Sequence, residues 1–123
     1  EGVRLSATSL TDPDVTEWND KWYMAYSTGQ TSGLAVSDDG LDFEDLGELT
    51  ENVGGVPGLF VDFEKLRIYG CGKEGISSAY SIDGKSFTKD ITKVVNVSGG
   101  ICDPSISYSK SLGYIFVYKQ VDS

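Results

Sequence analysis

Apolar and polar positions alternate with a period close to two through most of the chain, and no segment shows the 3.6-residue period of an amphipathic helix. Three runs, KWYMAYS (Lys21–Ser27), KLRIYGC (Lys65–Cys71) and LGYIFVYK (Leu112–Lys119), are dense in Tyr, Trp, Ile and Val. These residues suit a pleated, half-buried surface, so each run predicts a strand. The strands before them are expected to begin at a proline and run through Val15–Trp18, Leu59–Phe63 and Ile106–Tyr108. Turns are expected at Asn19-Asp20, at Glu64-Lys65 and around Ser109–Gly113. Third strands are expected at Gly33–Ser37 and Ser77–Ser81, followed by Asp39-Gly40 and Asp83-Gly84, where glycine accepts positive φ in a tight turn. Fourth strands are expected to start near Phe43 and Phe87.

The strands repeat. The three prolines, Pro13, Pro57 and Pro104, are 44 and 47 residues apart, and an apolar residue stands eleven positions after each: Met24, Ile68 and Ile115. AVSDDGLDF (Ala35–Phe43) and AYSIDGKSF (Ala79–Phe87) both fit A-x-S-x-D-G-x-x-F, again 44 residues apart. Four short antiparallel strands every ~45 residues is the mark of a propeller blade. A β-sandwich also has many short strands but gives no reason for the period.

The expected fold class is therefore all-β: a partial β-propeller domain over 1–123 holding about two and a half four-stranded blades. The blades fall at about 12–50 and 56–98, with an incomplete blade at 103–123 and, at 2–9, a leftover strand like the fourth strand of a preceding blade. A proline opening each innermost strand removes no ladder bond there. Closed propellers have about four to eight blades. Ring closure thus needs further sheets, from a longer protein or from a second copy. Two copies bring about five blades, which makes a twofold homodimer the simplest closed assembly.

DPDVTEWNDKWYMAYST followed by GLAVSDDGLDF resembles the blade of five-bladed propeller glycoside hydrolases, the family 43 and furanosidase-like group. GGVPGLFVDFEKLRIYG and CDPSISYSKSLGYIFVY are weaker copies, and the S-x-D-G-x-x-F phrase resembles a shortened Asp box of sialidase-type propellers. The resemblance covers nearly the whole chain. It implies hydrolysis of glycosidic bonds by acidic residues that start the innermost strands and ring a central depression. One Asp is the base, a second tunes and orients, and a Glu is the acid. Asp12 matches the base position, Asp103 holds the same place in the third repeat, and Val56 holds it in the second. Where some members carry an E-x-P acid, Cys102 stands two residues before Pro104. The rival function is a non-catalytic carbohydrate-binding or assembly module that keeps the blades and lacks the general acid.

Composition narrows the chemistry. The chain has no histidine, which removes Ser-His-Asp and Cys-His catalysis and leaves carboxylates, tyrosine, lysine and cysteine for proton transfer. Its formal charge of −9 opposes nucleic-acid binding and leaves neutral sugars and cations as partners. No apolar run of ~18 residues suggests a membrane span, and no basic start with an apolar core marks a signal peptide. The compartment stays open. Asp12 and Asp103 are the candidate catalytic pair, on one rim two blades apart. Asp14, Trp18 and Tyr23 are the candidate substrate-binding residues. In a regular strand Asp14 lies on the same side as Asp12.

Each candidate has a structural alternative. Asp12 and Asp103 can cap the turn between blades, and Trp18 and Tyr23 can pack between sheets. Asp39 and Asp83 are expected to be turn residues, with Ser37 and Ser81 in the same hydrogen-bonded corner. No cofactor is expected. Asp12, Asp14 and Asp103 supply the oxygen ligands that Ca²⁺ prefers, which makes them the candidates if a metal binds. Cys71 and Cys102 read as two small buried residues, or as a bridge if their Cα atoms come within ~7 Å.

Overall fold

A computed structural model describes residues 2–6, 9–96 and 100–121 of the chain. The described residues form ten strands: β1 (Thr11–Trp18), β2 (Lys21–Ser27), β3 (Ser32–Ser37), β4 (Glu44–Glu48), β5 (Gly55–Asp62), β6 (Lys65–Gly72), β7 (Gly75–Ser81), β8 (Thr88–Lys89), β9 (Gly100–Ser109) and β10 (Gly113–Val121). β1-β2-β3-β4 and β5-β6-β7-β8 are four-stranded antiparallel sheets, and β9 and β10 form a two-stranded third sheet. β1 packs beside β5, and β5 beside β9, so each sheet contributes one innermost strand. The chain is a partial propeller. Among the described residues no helix is long and apolar enough to cross a membrane.

The first two hairpins are built alike. Trp18 pairs with Lys21, and Asp62 with Lys65, across two-residue loops. Asn19 and Asp20 have φ of 51° and 58°, the left-handed pair that matches the strand twist. In the second hairpin the loop is Phe63-Glu64, one residue earlier than expected. Fully buried Leu66 and Ile68 fix the register, and the exposed Phe63 is carried into a left-handed turn position with φ 54°. The third hairpin has a three-residue loop, Lys110–Leu112, followed by Gly113 at φ 78°. That extra residue shifts the pairing. Val15 faces Met24 and Leu59 faces Ile68, but Ile106 faces Phe116. Phe116 therefore takes the paired place that Met24 and Ile68 hold in the first two hairpins and packs against the second core, while Ile115 stays exposed.

Two of the predicted strands differ in extent. The last strand of the second blade is only Thr88–Lys89. The expected strand at 2–9 does not form in its described residues, 2–6 and 9, where no described strand offers a ladder; residues 7–8 lie outside the described set.

Side chains from facing sheets make two cores. Trp18, Tyr23, Ala25 and Leu34 of the first blade interlock with Leu59, Leu66, Ile68 and Ala79 of the second. Tyr69 and Ile76 of the second pack against Ile101, with Phe60, Ile106 and Phe116 around them. The repeated D-G corners lie at the opposite end of the blades from the three prolines. Asp39 Oδ1 accepts the N–H groups of Leu41 and Asp42 at 2.8 and 3.0 Å, and Asp83 Oδ1 accepts those of Lys85 and Ser86, both at 2.8 Å. Ser37 and Ser81 complete the corners as expected, accepting the N–H groups of Gly40 and Gly84 at 2.9 Å each. These backbone donors hold both carboxyls below the ordinary aspartate range. Gly84 has a second reason to be glycine. Its φ is 74°, and a Cβ there would stand 2.3 Å from the Tyr23 hydroxyl of the neighbouring blade.

Candidate functional site

All three innermost strands break their ladder at the proline. Register shifts fall between Thr11 and Asp14, between Gly55 and Gly58, and opposite Cys102–Ser105. The residue before each proline is left-handed: Asp12 at φ 49°, Val56 at 47° and Asp103 at 54°. The proline thus does not open the strand, as the sequence suggests. It sits inside the strand at a bulge, another place where its missing N–H removes no ladder bond. Left-handed backbone is unusual for any side chain and a clear outlier for a β-branched one, so Val56 shows that the second repeat keeps this geometry despite strain.

The bulges place Asp12, Val56 and Asp103 at equivalent positions at one end of three neighbouring strands. Asp12 and Asp103 are exposed there. Thr11 Oγ1 donates to Asp12 Oδ2 at 2.8 Å. No hydrogen bond joins Asp12 to Asp103, and β5 lies between their strands. The sequence-predicted pair is therefore brought to one rim, two blade positions apart with β5 between.

The other candidates have different surroundings. Asp14 is half-buried and its Oδ2 accepts the Leu59 N–H of β5 at 2.7 Å. The bulge between Asp12 and Asp14 also removes the simple two-residue relation that would place both on one face. Asp14 thus fastens two blades together. Trp18 and Tyr23 are 5% and 4% exposed, with ring centroids 5.6 Å apart inside the first core. A ring buried between sheets has no face free for a sugar, so their packing role replaces the expected stacking role. The Ca²⁺ expectation for Asp12, Asp14 and Asp103 also meets no support: among the described residues no three acidic or cysteine side chains gather closely enough to hold a metal ion.

Fastenings between blades recur where the repeat demands them. Ser27, at the end of β2, is buried, and its Oγ accepts the Val56 N–H of the next bulge at 3.2 Å. The residue 44 positions on is Cys71, and it forms a disulfide with Cys102, which precedes Asp103. The Cα atoms are 5.1 Å apart, so the alternative of a bridge holds. In one joint a serine hydroxyl holds the bulge. In the next a covalent bond does so.

Beside the rim, a groove of about 480 Å³ runs between the β2–β3 loop and the second blade, past Gly29, Asn52, Gly54 and Gly72. Lys89 and Lys93 border it. Lys89 donates to the Asn52 carbonyl at 2.5 Å and Lys93 pairs with Glu74. These residues are absent from the sequence-based site because they lie outside the phrases that the repeats share. Ser27 carried a usable signal, its 44-residue offset from Cys71. On the first blade's outer half, burial and then the Asp45 carboxylate, 2.5 Å from its hydroxyl, push the Tyr26 phenol well above its ordinary range. That makes it a fixed donor and not a proton shuttle.

No protein-family model matches the chain, and no curated protein sequence does. Solved structures do. A thermostable family-43 glycoside hydrolase superposes with a TM-score of 0.69 at 16% identity, over 89% of this chain and 41% of that one. A GH43_1 enzyme from Xanthomonas citri, solved with xylotriose, gives 0.69 at 15% identity over 88% and 39%. The native Bacillus subtilis arabinanase gives 0.67 at 15% identity over 95% and 53%. At these identities the likeness is one of fold, and it agrees with the propeller resemblance read from the sequence. This chain spans about two fifths to one half of the chains it matches.

Proposed function

We propose that this chain forms part of a carbohydrate-active propeller of the glycoside-hydrolase type, with Asp12 and Asp103 on its ligand face. The observation that carries the reading is the repeated left-handed residue before proline. It sets a carboxylate, a valine and a carboxylate at one end of three neighbouring strands, and an enzyme of the matched fold was solved with xylotriose. In this reading Asp12 accepts a proton from the attacking water and Asp103 orients the sugar. Glycoside hydrolysis also needs a proton donor on the leaving oxygen. Neither Val56 nor Cys102, now in a disulfide, can serve as that donor.

The twofold homodimer expected from the sequence, two copies bringing about five blades, belongs to this reading, and a mass near twice 13.3 kDa in light scattering would support it.

The function is tested with aryl xylosides, aryl arabinofuranosides and xylotriose. Cleavage that falls about 10²-fold or more in Asp12→Asn, with the fold intact and Asp39→Asn unaffected, supports the enzyme. Xylotriose binding without cleavage, weakened by Asp12→Asn, would instead identify a binding module. Neither binding nor cleavage would sink both readings.

A further inference from the structure

The groove of about 480 Å³ between the first two blades carries the opposite charge to the chain as a whole. Three of the ten basic residues, Lys73, Lys89 and Lys93, line it, although the formal net charge is −9. Among its described lining residues Glu74 alone is acidic. The Glu74 carboxylate sits 2.5 Å from the Lys93 ammonium, on a side chain that is 81% exposed. Neither Lys73 nor Lys89 takes part in an ion pair among the described residues. Lys89 is held by the Asn52 carbonyl, and Asn52 is held in turn, its Oδ1 accepting the Gly54 N–H at 2.8 Å. The Asn52 amide N–H groups remain as further donors on the same wall.

The floor of the groove is open at a place where the fold does not require it. Gly54 and Gly75 are left-handed, and a Cβ on either would strike a backbone carbonyl, that of Cys71 or of Val95. Gly72 has neither constraint. Its φ lies outside the left-handed region, and a Cβ there would meet nothing within 4 Å. A strand glycine without a backbone reason suits a position that a ligand approaches closely. The inner end of the groove reaches the rim. Gly54 lies two residues before Val56, and Cys71 is bonded to Cys102 beside Asp103.

We infer that this groove binds a carboxylate carried on a sugar chain, a uronic-acid unit of an acidic oligosaccharide that runs outward from the rim. Ammonium groups without carboxylates of their own attract anions, and on this acidic surface the attraction is local. Glu74 on Lys93 stands in for the ligand's carboxylate, and an exposed pair of this kind is weak enough to be displaced. The Asn52 donors and the open floor at Gly72 suit sugar hydroxyls beside that charge. That a sugar bears the anion rests on the carbohydrate reading of the rim; the excess of ammonium groups does not.

The test is calorimetric titration of the whole protein with trigalacturonic acid, with its methyl ester as the uncharged control. The acid should bind more tightly than the ester, and its affinity should fall as salt rises. Lys73→Gln, which breaks no contact, should weaken binding about fivefold, and Glu74→Gln, which removes the competing carboxylate, should tighten it about threefold. Gly72→Leu fills the floor and should weaken binding about tenfold or more. Equal affinity for acid and ester, no binding of the acid, or binding untouched by both Lys73→Gln and Gly72→Leu overturns the inference. So does equal affinity for inorganic sulfate, which would mean a patch that reads charge alone, or loss of binding in Asp12→Asn, which would place the acid at the rim. If xylotriose is neither bound nor cleaved while the expected pattern holds, the reading of the rim falls and the groove stands.

Discussion

The two joints between sheets solve one packing problem with different chemistry. Between the first and second blades the contact is shaped and apolar. Trp18 and Tyr23 stack into Leu59, Leu66, Ile68 and Ala79, and the Asp14 carboxylate spans from β1 to the Leu59 N–H. Between the second and third sheets the residues 44 positions after Trp18 and Tyr23 are Asp62 and Arg67. They form an ion pair at 2.8 Å. Arg67 also reaches Asp90 at 2.9 Å, and the Tyr114 hydroxyl donates to Asp62 at 2.6 Å. Gly58 stands where Asp14 stood, and a Cβ there would lie 2.4 Å from the Pro104 carbonyl, so β9 approaches β5 directly. A disulfide replaces the Ser27 hydrogen bond. The lesson concerns composition: the first joint rests on packed apolar side chains, whereas the second adds an ion-pair network and a disulfide to its apolar core.

Leu66→Ala strikes the shape-held joint and has the largest expected effect. Leu66 is fully buried between sheets, and the loss should lie in the upper part of the roughly 2–5 kcal/mol range for such truncations. Urea unfolding should show it as a global loss, and a change below about 1 kcal/mol would mean that shape is not what holds this joint. Replacing both Cys71 and Cys102 by serine strikes the clamped joint. A bridge across 31 residues contributes about 3–4 kcal/mol by the loop-closure model. Here the loss should be local: amide exchange should quicken in β9 and β10 before β2 and β3, and uniform quickening would contradict the clamp.

Acid gives the smallest contrast. Burial opposes ionisation of Asp62, but the Tyr114 hydroxyl and Arg67 outweigh it, so its folded pKa lies below the ordinary value. A lowered carboxylate pKa contributes stability that is present above the unfolded value near 3.9 and is lost as pH falls through the folded one. As pH falls below about 4 and through the lower folded value, the second joint should therefore loosen first. The turn residues Asp39 and Asp83 titrate in the same direction in both blades and do not distinguish the joints. Asp62→Asn should flatten the acid limb of β10 protection, and an unchanged profile would remove Asp62 from the account.

Much of this architecture was legible in the sequence because repetition is a strong signal. The 44-residue offset located β2, β3, β6, β7 and both D-G corners, and fixed Asp39 and Asp83 as turn residues. Three things were not legible. The bulge at each proline depends on backbone dihedrals, and a proline reads the same at a strand start as inside a bulge. The extra residue in the third hairpin moved Phe116 inward by register alone. Trp18, Tyr23 and Asp14 carry side chains that suit a sugar site equally well, and only the arrival of the next blade decides that they face protein. Asp12 and Asp103 were found by their match to a known blade and share a rim; their distance from each other was beyond the reach of spacing arguments.

Val56 separates frame from cargo. The second repeat retains the left-handed kink although its side chain has no proton to exchange and dislikes that conformation, so the kink is inherited with the blade and not with the acid. Each such position acts as a socket whose contents are free to vary, and the character of the whole rim is then written by very few codons while the scaffold beneath it stays the same.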